Sequence, residues 1–238
     1  MSENNLPDQI EFAAKGEGAL VAFFEQMAVE IGDAHHELLN ELARALTERG
    51  WVQPIDAVVK KLADHVGDEK VNGALTDLER RRLVQLDRGE NRFVGILGCV
   101  SVARTGHRAH LSSGVDVFTF GGFDQLTLNH TLLKDLDVFT TCANSGQDIH
   151  LKIVGDQIVD SNISGIAGFI ATWDGKQALE EVAANSNLFA SDADLEAWQE
   201  KHPEVDGMGL PADLFLWVGM SAAQELGGAR FKLIGHSE

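Results

Sequence analysis

The spacing of apolar residues changes once along this chain, and that change decides its fold class. Up to about residue 92 they recur every three or four positions, the period of helices with one buried face. From Phe93 onward they alternate, or run in short blocks between turn residues, as strands do. In the first half, one stripe starts at Gly18 with Leu20, Phe23, Phe24, Met27 and Ile31. A second, Leu38, Leu39, Leu42 and Leu46, ends near Gly50. Pro54 suits the first turn of a third helix carrying Ile55, Val58, Val59 and Leu62. Asp68 is read as the cap of a fourth, with Val71, Leu75 and Leu78 inward and Arg80, Arg81 and Arg82 outward.

The second half predicts an extended run from Phe93 to Val102, a strand over Val115–Phe120 and a helix over Phe123–Leu133. Val138–Cys142 and Ile149–Val154 flank Asn144-Ser145-Gly146, a hairpin signal. Ile158–Ile163 and Ile166–Thr172 are further strands. Ser191, with Asp194 three positions on, opens a helix that turns Trp198 inward. Pro211 begins a last amphipathic helix reaching about Leu226, closed by Gly227-Gly228. The fold class is α+β: a loose segment 1–15, a winged-helix-like helical module 16–92, and a mixed sheet-and-helix domain 93–238 that holds a pocket.

A winged helix raises the question of DNA. The 238 residues carry 37 acidic and 19 basic side chains, a net charge of −18, whereas phosphate affinity needs clustered Lys and Arg. The helix bearing Arg80–Arg82 also carries Asp68, Glu69, Asp77 and Glu79, so nucleic acid and anionic membrane surfaces are not the expected partners. No apolar run approaches the roughly 20 residues of a membrane-spanning helix. Met1-Ser2-Glu3-Asn4-Asn5 has no signal-peptide pattern, and the two cysteines, Cys99 and Cys142, suit a reducing compartment. The expectation is a cytoplasmic monomer or small homo-oligomer with a small-molecule ligand.

Generic catalytic motifs are absent: no phosphate-binding loop, G-x-S-x-G elbow, H-E-x-x-H or C-x-x-C. Gly165-Ile166-Ala167-Gly168 lacks the helix a dinucleotide fingerprint needs and reads as a tight strand passage. His107 and His110 are three positions apart, so one straight strand points them to opposite faces. With His130 and His150 they read as scattered, and no metal site is expected.

Several segments together resemble the alkylmercury lyase (organomercurial lyase) family. Arg104-Thr105-Gly106-His107 is similar to its Thr-x-His strand start, and Phe120-Gly121-Gly122-Phe123-Asp124-Gln125-Leu126 to its Trp-Cys-Ala-Leu-Asp-Thr-Leu segment. Thr141-Cys142-Ala143-Asn144-Ser145-Gly146 resembles a Cys-Ala-x-x-Gly hairpin. Asn187-Leu188-Phe189-Ala190-Ser191, then Trp198 and His202, resembles its Phe-Phe-Ala-Ser strand end and Trp-x-x-x-His helix, and Ser221-Ala222-Ala223-Gln224-Glu225-Leu226 fits as well. The order holds over about Leu42 to Leu226.

The resemblance implies protonolysis of a carbon–mercury bond, with two thiolates holding the soft metal and an Asp managing the proton. Here Gly121 stands at the first thiol position and alanine, Ala183 or Ala184, at the second; only the acid, Asp124, is kept. Glycine and alanine ligate nothing, and mercury needs sulfur. The implied outcome is a larger apolar pocket that binds or transforms a small organic molecule, with Asp124 as general acid, base or ligand contact. Gly121, Gly122, His107, His130, Ala183, Ala184, Asn185 and Asn187 are its expected lining. A lyase, hydratase or isomerase step would use Asp124 for the proton. The alternatives are a non-catalytic ligand or cofactor carrier or sensor, and mercury chemistry rebuilt on Cys99 and Cys142. Asp124 reads equally as a helix cap, and the cofactor, if any, is left open.

Overall fold

A computed structural model of the protein describes residues 32–96, 100–132, 135–172 and 179–217. The helix expected from Gly18, the far part of the last helix, and Cys99 lie outside the described residues, as does the side chain of His130. Three helices come first: α1 (Asp33–Arg49), α2 (Ile55–Val66) and α3 (Asp68–Arg80). Each buries the stripe its spacing predicts: Leu38, Leu39, Leu42 and Leu46, then Ile55, Val58, Val59 and Leu62, then Val71, Leu75 and Leu78. Glu41, within the buried stripe of α1, accepts a bond from Lys61 Nζ at 2.7 Å and pairs with Arg44, tying α1 to α2. Burial would raise the pKa of Glu41, but these bonds outweigh it and hold the carboxylate below its usual range.

Local expectations need three corrections here. Asp68 is not a cap: Gly67, at φ +97°, makes the junction, and Asp68 falls in the first turn of α3, where a carboxylate still favours the helix dipole. Pro54 sits one position earlier than expected, as the N-cap residue. Of the arginines expected to face outward, Arg80 is exposed, while Arg81 and Arg82 are only partly so. Arg80 and Arg81 both fold back onto Asp77, Arg81 at 2.6 Å with its side chain only 14% exposed.

The strands are β1 (Val84–Asp87), β2 (Arg92–Ile96), β3 (Val100–Ser101), β4 (Arg108–Leu111) and β5 (Asp116–Thr119). After α4 (Gly122–Leu132) come β6 (Leu136–Thr141), β7 (Asp148–Val154) and β8 (Gln157–Ser161). They form one eight-stranded sheet, in the order β1-β2-β3-β5-β4-β6-β7-β8, with every pairing antiparallel. The sheet therefore runs straight across position 92/93, where the apolar spacing changes. At the tip of the β1–β2 hairpin, Asn91 accepts the N–H groups of Ile55 and Asp56 through its carbonyl and its Oδ1, at 3.1 and 3.2 Å. It thereby caps α2, which Pro54 cannot do with a side chain.

The rest is β9 (Ala167–Ala171), α5 (Leu179–Asn185), β10 (Leu188–Phe189), α6 (Asp192–Lys201) and β11 (Gly207–Pro211), with residues 212–217 helical. β10, β9 and β11 make a second, three-stranded sheet. Ser191 Oγ accepts the Asp194 N–H at 3.1 Å, as its pattern predicts, and Trp198 is buried against Phe169 and Phe189. The Asn144-Ser145-Gly146 turn forms too, with Gly146 N–H donating to the Cys142 carbonyl at 2.9 Å and the Cys142 side chain buried. Helix α4 is enclosed, lying against β5, β6 and β9 with Phe123, Leu126, Leu128 and Leu132 in the core. Among the described residues, no helix is long and apolar enough to cross a membrane.

Candidate functional site

The site is built where β5 runs into α4. Asp124 is the third residue of α4, and its Oδ2 accepts the N–H of Gly121, just before the helix, at 3.1 Å. That closes the first turn on itself, half of a capping box. Asp124 is therefore a cap, but not an ordinary one. Its side chain is 8% exposed, and burial pushes its pKa up to about 8 against the opposing pull of the Gly121 N–H. At neutral pH it is mostly a neutral carboxylic acid, able to donate a hydrogen bond or a proton.

Gly121 is held from both sides. Thr119 Oγ1 donates to its carbonyl at 2.8 Å. Above it lies the C-terminal turn of α5: a Cβ placed on Gly121 would stand 1.8 Å from the Ala183 carbonyl oxygen and 2.7 Å from that of Ser186. A Cβ on Gly122 would meet the Leu188 nitrogen at 2.9 Å. The two positions that the family resemblance pairs, Gly121 and Ala183, do meet, but as backbone against backbone. The expectation that lost thiols leave a larger cavity is thus corrected at Gly121. A glycine facing a short alanine-bearing helix lets the main chain close in, and the Ala183 carbonyl occupies the volume a side chain would have filled. Ala183, 7% exposed, faces Gly121, whereas Ala184 faces solvent.

The asparagines turn back on their own segment. Asn185 Nδ2 donates to the Glu181 carbonyl at 3.1 Å, and buried Asn187 donates to that of Ala184 at 2.7 Å. The backbone of Asn187 also pairs with Phe169 in both directions. Two residues that sequence reasoning missed fix the arrangement. Thr119 is one. Ser186 is the other: its carbonyl accepts the Phe123 N–H at 3.0 Å, and its hydroxyl accepts from Ala171 N–H and donates to Val182 O. A buried serine after a two-turn helix carries no pattern that marks it in sequence.

His107 and His110 do part to opposite faces. The carbonyl of His107 accepts the Thr119 N–H at 3.0 Å, which puts it one strand from the residue that holds Gly121. Its Nδ1 bonds Thr140 Oγ1 at 2.7 Å, and burial lowers its pKa, so the ring is neutral near pH 7. His110 bonds Asp116 at 2.8 Å on the outer face, where His150 bonds Asp137 and stacks on Phe139. Among the described residues, no three His, Cys, Asp or Glu side chains gather to hold a metal ion.

A helical head joined to a long antiparallel sheet, with a buried acid at a helix N-terminus facing two converging positions, defines a fold of the alkylmercury lyase type. The sequence profile of that family, described as alkylmercury lyase (MerB), matches residues 100–224. This chain belongs to the alkylmercury lyase family. Its structure is similar to the crystal structure of the mercury-bound form of MerB2, with a TM-score of 0.73 at 18% identity, covering 88% of this chain and 99% of that one. No curated protein sequence matches the chain.

Proposed function

We propose that this family member binds a small, uncharged organic molecule beside Asp124, with the neutral carboxyl donating a hydrogen bond or a proton to an acceptor on it. The observation that carries this reading is a buried acid, un-ionised at neutral pH, at the position where the family keeps its proton-handling Asp. The groups bonded to its partner and to the start of α4 are uncharged as well: Thr119 on the Gly121 carbonyl, the His107 carbonyl on the Thr119 N–H with the neutral His107 ring on Thr140, and the Ser186 carbonyl on the Phe123 N–H. Charged side chains of the same strands, Arg108, Asp116, Asp137 and Lys152, alternate onto the other face of the sheet. A charged ligand would lose its hydration here without a partner.

The chain does not cleave carbon–mercury bonds on this reading. Mercury is present in the MerB2 structure, but Gly121 and Ala183 offer it no sulfur, and the buried Cys142 Sγ already accepts the Ser145 N–H at 3.4 Å. Binding without turnover is a second reading, favoured by one observation: among the described residues, Asp124 Oδ2 bonds only the Gly121 N–H, with no second titratable group in contact. Either way the protein works as a monomer or small homo-oligomer in the cytoplasm, independent of nucleic acid and membrane.

Native mass spectrometry of protein purified from its own host tests the ligand. A co-purifying organic mass is expected, depleted in Asp124→Asn; a bare chain in both would sink the reading. Against an organomercurial, the protein is expected to show no protonolysis above a thiol-buffer blank. Turnover that survives a Cys99→Ala, Cys142→Ala double substitution would contradict the requirement for sulfur.

A further inference from the structure

We propose that the interface between α4 and the large sheet is a binding site for one internal water, which donates one hydrogen to Gln125 Oε1 and the other to Asn129 Oδ1. The two residues are one helical turn apart, so they share the side of α4 that also carries Leu128 and Leu132. Both reach the sheet. Gln125 Nε2 donates to the Phe139 carbonyl of β6 at 3.2 Å, and Asn129 Nδ2 donates to the carbonyl of Gly155, the residue after β7. A helix stripe turned to a sheet is ordinarily apolar throughout. Here half of it is amide, and neither amide is at the surface: Gln125 is fully buried and Asn129 is 5% exposed.

Each amide commits its nitrogen and leaves its oxygen over. Gln125 Oε1 and Asn129 Oδ1 are both shut off from bulk solvent, and neither meets a donor among the described residues. Turning the amides over does not help. It would set each oxygen against a main-chain carbonyl and leave the NH₂ group without an acceptor. Nor does the sheet offer a donor. β6 and β7, which lie against α4, present Val138, Leu151 and Ile153, buried side chains with no polar atom. The Thr140 hydroxyl is engaged with His107 Nδ1. A buried acceptor with no donor has given up its hydration for nothing, and native interiors rarely leave one so.

The chemistry of the occupant follows from the two oxygens. They ask for a small group with two donors and no charge, and water is that group. An ammonium ion would enter without a counter-charge, and a metal ion needs more ligands than two amide oxygens. The spacing suits one molecule. Side chains four positions apart on a helix hold their β-carbons about 5–6 Å apart, and two bonds of about 2.8 Å meeting at a water span about 4.5 Å. Two polar partners are enough to keep a buried water in place. The consequence lies in how α4 is seated. Its amides tie it directly to β6 and to the turn after β7, and the water joins those two ties into one network.

A crystal structure of the full chain, at a resolution that shows ordered waters, tests this without any variant. One peak is expected about 2.7–3.2 Å from both Gln125 Oε1 and Asn129 Oδ1. In solution, the side-chain amide protons of Gln125 should give a nuclear Overhauser cross-peak to water, with the sign of a long-lived internal molecule. Asn129→Leu keeps the bulk and removes one of the two anchors. The peak and the cross-peak should both be lost there, while Gln125 keeps its bond to the Phe139 carbonyl. A dry interface in the wild type, a separate water on each oxygen, a protein donor filling either one, or a peak that stays in Asn129→Leu would each overturn the proposal. The water does not depend on the function proposed above: an empty chain in the co-purification experiment leaves it standing, and a dry interface leaves that result untouched.

Discussion

Replacing Asp124 with Asn is expected to make the protein markedly less sensitive to alkali. The sign follows from proton binding. In the folded state the Asp124 carboxyl keeps its proton up to about pH 8, whereas in the unfolded chain an aspartate releases it near pH 4. Between those values the folded state binds more protons than the unfolded one, so stability falls as pH rises through the window. The loss is absent below about pH 4 and complete above about pH 8, and a four-unit gap corresponds to about 5 kcal/mol at most. Asn has the same shape and still offers an oxygen to the Gly121 N–H, so the first turn of α4 keeps its cap. Urea unfolding of both proteins from pH 5 to pH 9 gives the difference directly, since every other titrating group cancels. The variant should gain on the wild type by several kcal/mol across that range. Parallel curves would mean that Asp124 is ionised in the folded protein, and the proton-donor role would go with it.

Restoring a thiol at the first family position is expected to fail structurally before it can be tried chemically. In Gly121→Cys the new Cβ falls 1.8 Å from the Ala183 carbonyl oxygen, which is main chain and not the far end of a flexible side chain. Forced overpacking of a core typically costs about 1–3 kcal/mol, and a clash with backbone belongs at or beyond the upper end. For a chain of this size that lowers Tm by about 6–12 °C. Gly121→Ala should lose nearly as much, because the β-carbon and not the sulfur makes the collision. Melting points within about 2 °C of the wild type for both variants would show that the last turn of α5 yields freely. The contrast with Asp124→Asn is useful: one variant removes a charge penalty without changing shape, the other changes shape without touching charge.

The parts of the fold that carry strong periodicity were legible in the amino-acid order. The stripes of α1, α2 and α3, the hairpin at Asn144-Ser145-Gly146 and the Ser191–Asp194 cap all form where their residue spacing puts them. Short or punctuated elements were not. β1 is four residues, Val-Gln-Leu-Asp, and β11 reads Gly-Met-Gly-Leu-Pro, a composition normal for loops. α5 has seven residues, too few for a helical stripe to stand out. The site was legible to the same degree. Asp124 was visible as an acid at a helix start, and its burial follows from the apolar residues around it. The meeting of Gly121 with Ala183 was reachable only through resemblance, and the closeness of that meeting not at all. Glycine leaves no side-chain pattern, and what fills its missing volume is decided by a segment some sixty positions away.

The hairpin that contributes β1 and β2 has a consequence for how the molecule holds together. Its tip caps α2 through Asn91, and its second strand is already paired with β3 of the large sheet. Head and body thus share a seam instead of a tether. Severing them there would strip β2 of one neighbour and leave a raw margin of unpaired amides and carbonyls, the kind of surface that recruits other chains. The helical head is in this sense a selvedge of the sheet, woven in rather than sewn on, and neither half has an independent outline.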